Sequence, residues 1–401
     1  MNTYTHIKAT FYFLFLIFFS IQPVCAQTTE TDTLRAQMDE IKVEATYSNI
    51  TVDEAPFAIT QFTRTPFQQN TTPGLTLSEI TDRVPGIWVN QRENFAVGER
   101  ITIRGMGWRA SFGVRGIQVV LDGIPITVAD GQSMLDVVDP AMIQSLEVLR
   151  GPASTLWGNS SGGVLYIKTV QPDNDRINIR TQGGSYGLTK NEFQISRSLG
   201  DHFISGYTTI HAENGFRDHS AVTLSRSALN ARFLLADQTI LSVNSALSVM
   251  PRAKSPSSLT KSQLMEDPVQ ARGIFEASDA GKQVTQGQLG LKLQHQLNNN
   301  WMFESSAYGI LRDLRNPLPF AFIDLNRKAA GLRNVVHTKK GNFTIAGGAE
   351  MKMQFDERAN FNTVDGARGD EISLQQDERV LNEAVFAKLG FRAGSLNISG
   401  G

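Results

Sequence analysis

The stretch "FTIAGGAEMKMQF", residues 343–355, decides the fold. In an extended chain successive side chains point to opposite faces. Phe343, Ile345, Gly347, Ala349, Met351, Met353 and Phe355 therefore share one face, and Thr344, Glu350, Lys352 and Gln354 the other. "EAVFAKLGFRAG" repeats the pattern, with Val385, Ala387, Leu389 and Phe391 opposing Lys388 and Arg392. "TQGQLGLKLQHQL" sets Leu289, Leu291, Leu293 and Leu297 against Gln288, Lys292 and Gln294. "LNARFLL" opposes Leu229, Ala231, Phe233 and Leu235 to Asn230 and Arg232. These segments run to about 9–14 residues, the length of a tilted membrane strand, whereas strands of a soluble sandwich average about 5–6.

The connections support a membrane barrel over a sandwich or a repeat array. Short turns ("LGDH", "LADQT", "LNNNW", "TKKGN") alternate with long polar links at residues 251–283 and 356–378. Short turns on one side and long loops on the other characterise outer-membrane barrels. Roughly ten or eleven such strands fit between Arg176 and Gly401, with each strand taking about 6 Å of circumference. Ten strands then enclose a radius of roughly 10 Å, and twenty-two about 22 Å.

Composition leaves this reading open and closes others. Lys and Arg number 38 against 39 Asp and Glu, a net charge of -1, so no electrostatic pull toward nucleic acid is implied. Mean hydropathy is -0.19, too polar for a bundle of membrane helices. It is compatible with strands of which only alternate residues face lipid. The N-terminus reads as a secretory signal: Lys8, the apolar core "FYFLFLIFF" and the cleavage site Val24-Cys25-Ala26. Cleavage after Ala26 removes Cys25, the one cysteine, so no disulfide, thiolate nucleophile or cysteine metal site is expected.

Residues 27–47 are a polar leader carrying the short alternating segment "DEIKVEAT", Asp39 to Thr46. Residues 48–170 have the texture of a mixed α/β domain. "TLSEITDRVPGI" predicts a helix opening at Thr76 or Ser78, with Leu77, Ile80 and Val84 on one face. "RITIRG", "IQVVLDGIPI", "SLEVLR" and "GGVLYIKT" read as strands, the second turning at Asp122-Gly123. "DPAM" opens a short helix at Asp139-Pro140. A domain of this size has a radius of gyration near 14 Å, which a ten-stranded barrel cannot hold and a twenty-two-stranded one can.

In order and spacing these segments resemble a TonB-dependent outer-membrane receptor over essentially the whole chain. "DEIKVEAT" (Asp39, Glu40, Ile41, Lys42, Val43, Glu44, Ala45, Thr46) looks like a TonB box. "LSEITDRVPGIWVNQRENFAVGERITIRGMG", "VVLDGIPI" and "IQSLEVLRGPASTLWGNSSGGVLYIKT" look like plug signatures, and "GGSYGLTKNEFQISRSLGD" like the first barrel strands. The resemblance implies a plug inside a twenty-two-stranded antiparallel β-barrel, of which residues 171–401 are the N-terminal part, with the plug and box facing the periplasm. It implies no catalytic cofactor. The partners it implies are outer-membrane lipid, TonB with its ExbB–ExbD complex, and a scarce nutrient, foremost a ferric siderophore. Cobalamin, another metal chelate or a glycan are alternative substrates, and a non-transporting adhesin is the alternative class. Lys42 and Glu44 make the box more charged than usual.

Family plug apices line the ligand pocket, which points to "GMGWRASFG" and "TVADGQS". Trp108 and Arg109 offer an aromatic face and a guanidinium for an anionic, aromatic-rich chelate, with Asp130 and Gln132 adding polar contacts. Glu147 and Arg150 in "LEVLRG" are expected to form a buried pair or latch facing the barrel wall. Gly158-Asn159-Ser160-Ser161-Gly162 fits the nucleophile-elbow pattern G-x-S-x-G. An elbow serine needs a helix after it, and here a strand is expected, so Ser160 is read as part of a packing corner.

Overall fold

The computed structural model describes residues 45, 47, 58–64, 71–90, 94–110, 112–151, 156–158, 160–171, 174–394 and 396–401. The signal segment and box residues 39–44 and 46 lie outside them.

The first domain contains β1 (Ile59–Thr63), β2 (Ile87–Asn90), β3 (Arg100–Ile103), β4 (Val114–Arg115) and β5 (Ile117–Leu121). β6 (Ile124–Pro125), β7 (Gln132–Ser133), β8 (Ile143–Leu149) and β9 (Gly163–Thr169) complete it. A five-stranded sheet has the order β1-β8-β9-β5-β6, and β2-β3 and β4-β7 form separate pairs. Asp122 and Gly123 join β5 to β6 with positive φ at both positions, 50° and 85°, as a two-residue hairpin turn of the Asp-Gly kind requires.

The helical face predicted for Leu77, Ile80 and Val84 is fully buried against β3, β5, β8 and β9, but the helix is a single turn, Ser78–Thr81. Its start also differs from expectation. Leu77 occupies the N-cap without a side-chain bond, and the Glu79 carboxylate instead accepts from the amides of Gly74, Leu75 and Thr76. Two of those bonds are 2.8 Å long, so one carboxylate satisfies three amides of the segment that leads into the helix. Asp139 does cap the following turn, accepting from the Ala141 amide at 2.9 Å; that turn is a 3-10 helix, Pro140–Met142.

The second sheet has eleven antiparallel strands in sequence order. They are β10 (Arg176–Gly183), β11 (Thr189–Leu199), β12 (His202–Glu213), β13 (Val222–Ala236), β14 (Thr239–Lys254) and β15 (Gly281–Gln296). Then follow β16 (Trp301–Leu318), β17 (Ala321–Lys340), β18 (Phe343–Val364), β19 (Ala367–Ala393) and β20 (Leu396–Gly400). Its burial is inverted relative to a soluble sheet. On β18, Glu350, Lys352, Gln354 and Asp356 are buried, while Phe343, Ile345, Met351 and Phe355 are exposed. On β19, Lys388 is buried and Val385 is 88% exposed. An apolar outward face and a polar inward face are what a lipid-facing barrel wall needs. No helix among the described residues is long and apolar enough to cross a membrane.

Strand length departs from expectation. Residues 356–378 are not a loop: β18 and β19 run through them, joined at Asp365-Gly366. Residues 251–283 are partly strand as well, with two short helices (Lys261–Glu266, Gly273–Ala277) between β14 and β15.

The inward face wraps the first domain closely. A Cβ at Gly290 of β15 would lie 2.5 Å from Ile124, so only glycine admits this approach.

Candidate functional site

At the short-turn end of the sheet, the leader is tied across the seam between domain and wall. Ala45 is fully buried; its N–H donates to Glu147 Oε2 at 3.0 Å, and its carbonyl accepts from Trp157 Nε1 at 2.8 Å. Tyr47 stacks on Trp157 with ring centroids 5.6 Å apart, and its hydroxyl accepts from Arg333 Nε at 3.3 Å. Burial raises the Tyr47 pKa, keeping the phenol neutral. Arg333, on β17, lies 4.3 Å from the ring centroids of both Trp157 and Phe386. The same guanidinium pairs with Glu350 and donates to the Leu156 carbonyl.

Glu147 and Arg150 are both buried, but their hydrogen bonds run to different partners. Glu147 holds Ala45 and Gln61 Nε2 (3.5 Å), while Arg150 donates to Thr60. The carboxylate thus faces the leader.

Farther toward the long-loop end, the two candidate apex loops meet through the β4-β7 pair. Gln132 Nε2 donates to the Phe112 carbonyl at 3.2 Å. Arg115 donates to Asp130 at 2.9 Å, and the Asp130 amide donates to Gln354 of β18 at 3.2 Å. Gln132 Oε1 accepts from Arg327 of β17 at 2.8 Å, and Arg327 forks onto Asp356. Asp130 and Gln132 are therefore committed to holding the loop on the wall. Trp108 and Arg109 point the other way: Trp108 is 60% exposed and Arg109 is exposed. Trp88, missed in the sequence, stands 5.0 Å from Trp108 between ring centroids and is 45% exposed. Met106 and Phe112 are exposed beside them in the chain.

Buried ion pairs lock the seam. Asp136 binds Lys282 (3.0 Å) and Arg312 (2.7 Å); burial alone would raise its pKa, but these cations hold it well below the usual carboxylate range. Asp139 pairs with Lys190 at 3.2 Å and is likewise held low against burial.

Ser160 is buried and followed by a turn and then β9, the order expected for a packing corner. A Cβ at Gly163 would lie 2.2 Å from the Leu149 carbonyl oxygen, and its φ of 127° also favours glycine.

Residues 51–164 match the TonB-dependent Receptor Plug Domain family. The first domain is a TonB-dependent receptor plug. The chain is 28% identical to the hemin receptor of Yersinia pestis over 179 residues, 44% of its own length and 24% of that relative. It is 30% identical to a ferrioxamine B receptor of Salmonella typhimurium over 152 residues, 37% of its chain and 20% of that one. The matched stretch thus spans about a quarter of those relatives' length. The unliganded ferric citrate transporter FecA superposes with TM-score 0.71 at 16% identity, covering 87% of this chain and 56% of that one. The ferric yersiniabactin uptake receptor FyuA of Yersinia pestis superposes with TM-score 0.60 at 17% identity, covering 84% and 54%. At these identities the superpositions establish the fold alone: a plug domain against a large antiparallel barrel sheet.

Proposed function

We propose that this receptor imports a ferric chelate across the outer membrane, energised from the periplasm by TonB with ExbB–ExbD. The observation that carries the reading is the anchoring of Ala45 and Tyr47. Both backbone polar groups of Ala45 are bound by plug side chains, and Tyr47 joins the wall through Arg333. Ala45, the described residue of the box segment, thereby lies on the plug–wall seam, where a pull on the leader would load it. The alternating Ile41, Val43 and Ala45 of the box suit an added strand on a TonB domain, since main-chain hydrogen bonds supply such affinity.

The exposed Trp88–Trp108 pair with Arg109 is the ligand-contacting patch in this reading, and Asp130 and Gln132 position it through Arg327. Stacking and a cation suit an anionic aromatic chelate. An iron chelate is favoured over cobalamin or a glycan because relatives named hemin and ferrioxamine B receptors match this chain.

Deleting Asp39–Thr46 should abolish energised uptake of iron-59-labelled chelates while surface binding persists. A proline at Ile41 or Val43, which removes a ladder donor, should do the same. Undiminished uptake in the deletion strain would sink the transport reading.

A further inference from the structure

Away from the plug, on the outward face of the sheet, an open groove of about 580 Å³ lies at the β17-β18 turn. Trp301, Phe343 and Ile345 form its apolar floor, and Thr338, Lys340 and Asn342 its polar rim. Strand register explains the arrangement. Trp301 stands opposite Thr338 and Thr338 opposite Ile345, so these three form one outward row; Lys340, Phe343 and Phe391 form the next. Phe343 and Phe391 stack with centroids 4.9 Å apart. Both rows continue the apolar band of Leu389, Val385 and Met351 that faces lipid.

The groove therefore sits where the apolar band ends and the short turn begins. The Tyr47 ring of the leader lies 5.9 Å from that of His337 between centroids, three residues before Lys340, which puts this turn at the leader's, periplasmic, end. At that depth an aromatic ring takes the interfacial position and a lysine reaches the headgroup layer. Lys340 is exposed and makes no ion pair with any described residue.

We propose that this groove is a binding site for an anionic glycerophospholipid of the periplasmic leaflet, with the phosphate on Lys340 and Asn342 and an acyl chain along Ile345 and Trp301. The occupant follows from two features together. The floor is continuous with the lipid-facing band, which excludes a soluble anion as the natural ligand. The rim is cationic at the leaflet that the short turns face, which excludes a ligand of the outer leaflet.

The test uses the protein reconstituted in phosphatidylcholine vesicles, into which brominated phosphatidylglycerol or brominated phosphatidylcholine is titrated as quencher. The Trp301 signal is the difference between wild type and Trp301→Phe. Brominated phosphatidylglycerol should occupy the site about fivefold more readily than brominated phosphatidylcholine, the preference expected for one lysine at a membrane surface. Lys340→Gln should bring the ratio close to one. Equal quenching by both lipids in the wild type, or an unchanged ratio in Lys340→Gln, would mean ordinary boundary lipid and overturn the proposal. If Trp301→Phe does not insert, native mass spectrometry of the detergent-extracted wild type and Lys340→Gln decides: retained phosphatidylglycerol should be lost in the variant. Retention of lipopolysaccharide instead, or equal retention of phosphatidylglycerol, would overturn the site.

Discussion

Arg333→Met should release the leader while leaving the wall intact. The guanidinium lies 4.3 Å from two ring centroids, Trp157 and Phe386, in a buried setting where a cation–π contact contributes about 2 kcal/mol. Its hydrogen bond to the Leu156 carbonyl is charge-assisted, about 1.5–3 kcal/mol. Glu350 is not stranded by the change, because Lys352 also pairs with it. The local loss is then about 3–5 kcal/mol, and methionine fills much of the volume. Each 1.4 kcal/mol is about tenfold in an equilibrium constant, so opening of the Ala45–Trp157–Tyr47 contact should become at least about a hundredfold more frequent. Hydrogen–deuterium exchange reads this directly at the Ala45 amide, which is bonded to Glu147. Arg333→Lys keeps the pair with Glu350 but loses the planar stack, so it should fall between the two. Unchanged protection at Ala45 in Arg333→Met would refute the idea that the wall clamps the leader through this residue.

Trp108→Ala combined with Arg109→Ala should weaken ferric-chelate binding tenfold or more, as about 1.4 kcal/mol of stacking and charge is removed, with normal membrane insertion; equilibrium binding on cells checks it. Gly163→Ala should destabilise the plug by about 3 kcal/mol or more, since its Cβ would lie 2.2 Å from a carbonyl oxygen at positive φ; urea denaturation of the inserted protein is the measurement. Asp136, held low by Lys282 and Arg312, contributes stability that is fully present above the unfolded carboxylate pKa of about 4 and lost as pH falls through its depressed folded value. Seam protection at residues 135–137 should therefore hold from neutral pH to about 4 and decline progressively below it, and Asp136→Asn should cost about 3 kcal/mol at pH 7 and flatten that acid dependence.

The wall was legible in the sequence because lipid imposes a period of two on it. Glu350, Lys352 and Gln354 alternate with exposed Met351 and Phe355 along β18, and the sequence shows that alternation unaided. Where the same strands leave the bilayer the rule lapses. Along residues 357–378 neither face is buried, nothing enforces apolar alternation, and backbone pairing continues regardless, so the segment reads as a loop and folds as a hairpin. Much of the candidate site was illegible for a different reason. Ala45 meets Glu147 across 102 positions, and Arg333 meets Leu156 across 177, and no local pattern encodes such meetings. A trace existed nonetheless. Arg312, Arg327 and Arg333 fall on the inward face of a wall whose interior excludes unpaired charge, so each demanded a partner from the plug or a neighbouring strand. Asp136 answers Arg312, Gln132 and Asp356 answer Arg327, and Leu156 with Glu350 answers Arg333. Without the plug, Arg312 would lose Asp136, Arg327 would lose Gln132 and Arg333 would lose the Leu156 carbonyl, so the inward face of the sheet and the surface of the plug are matched at each of these three positions.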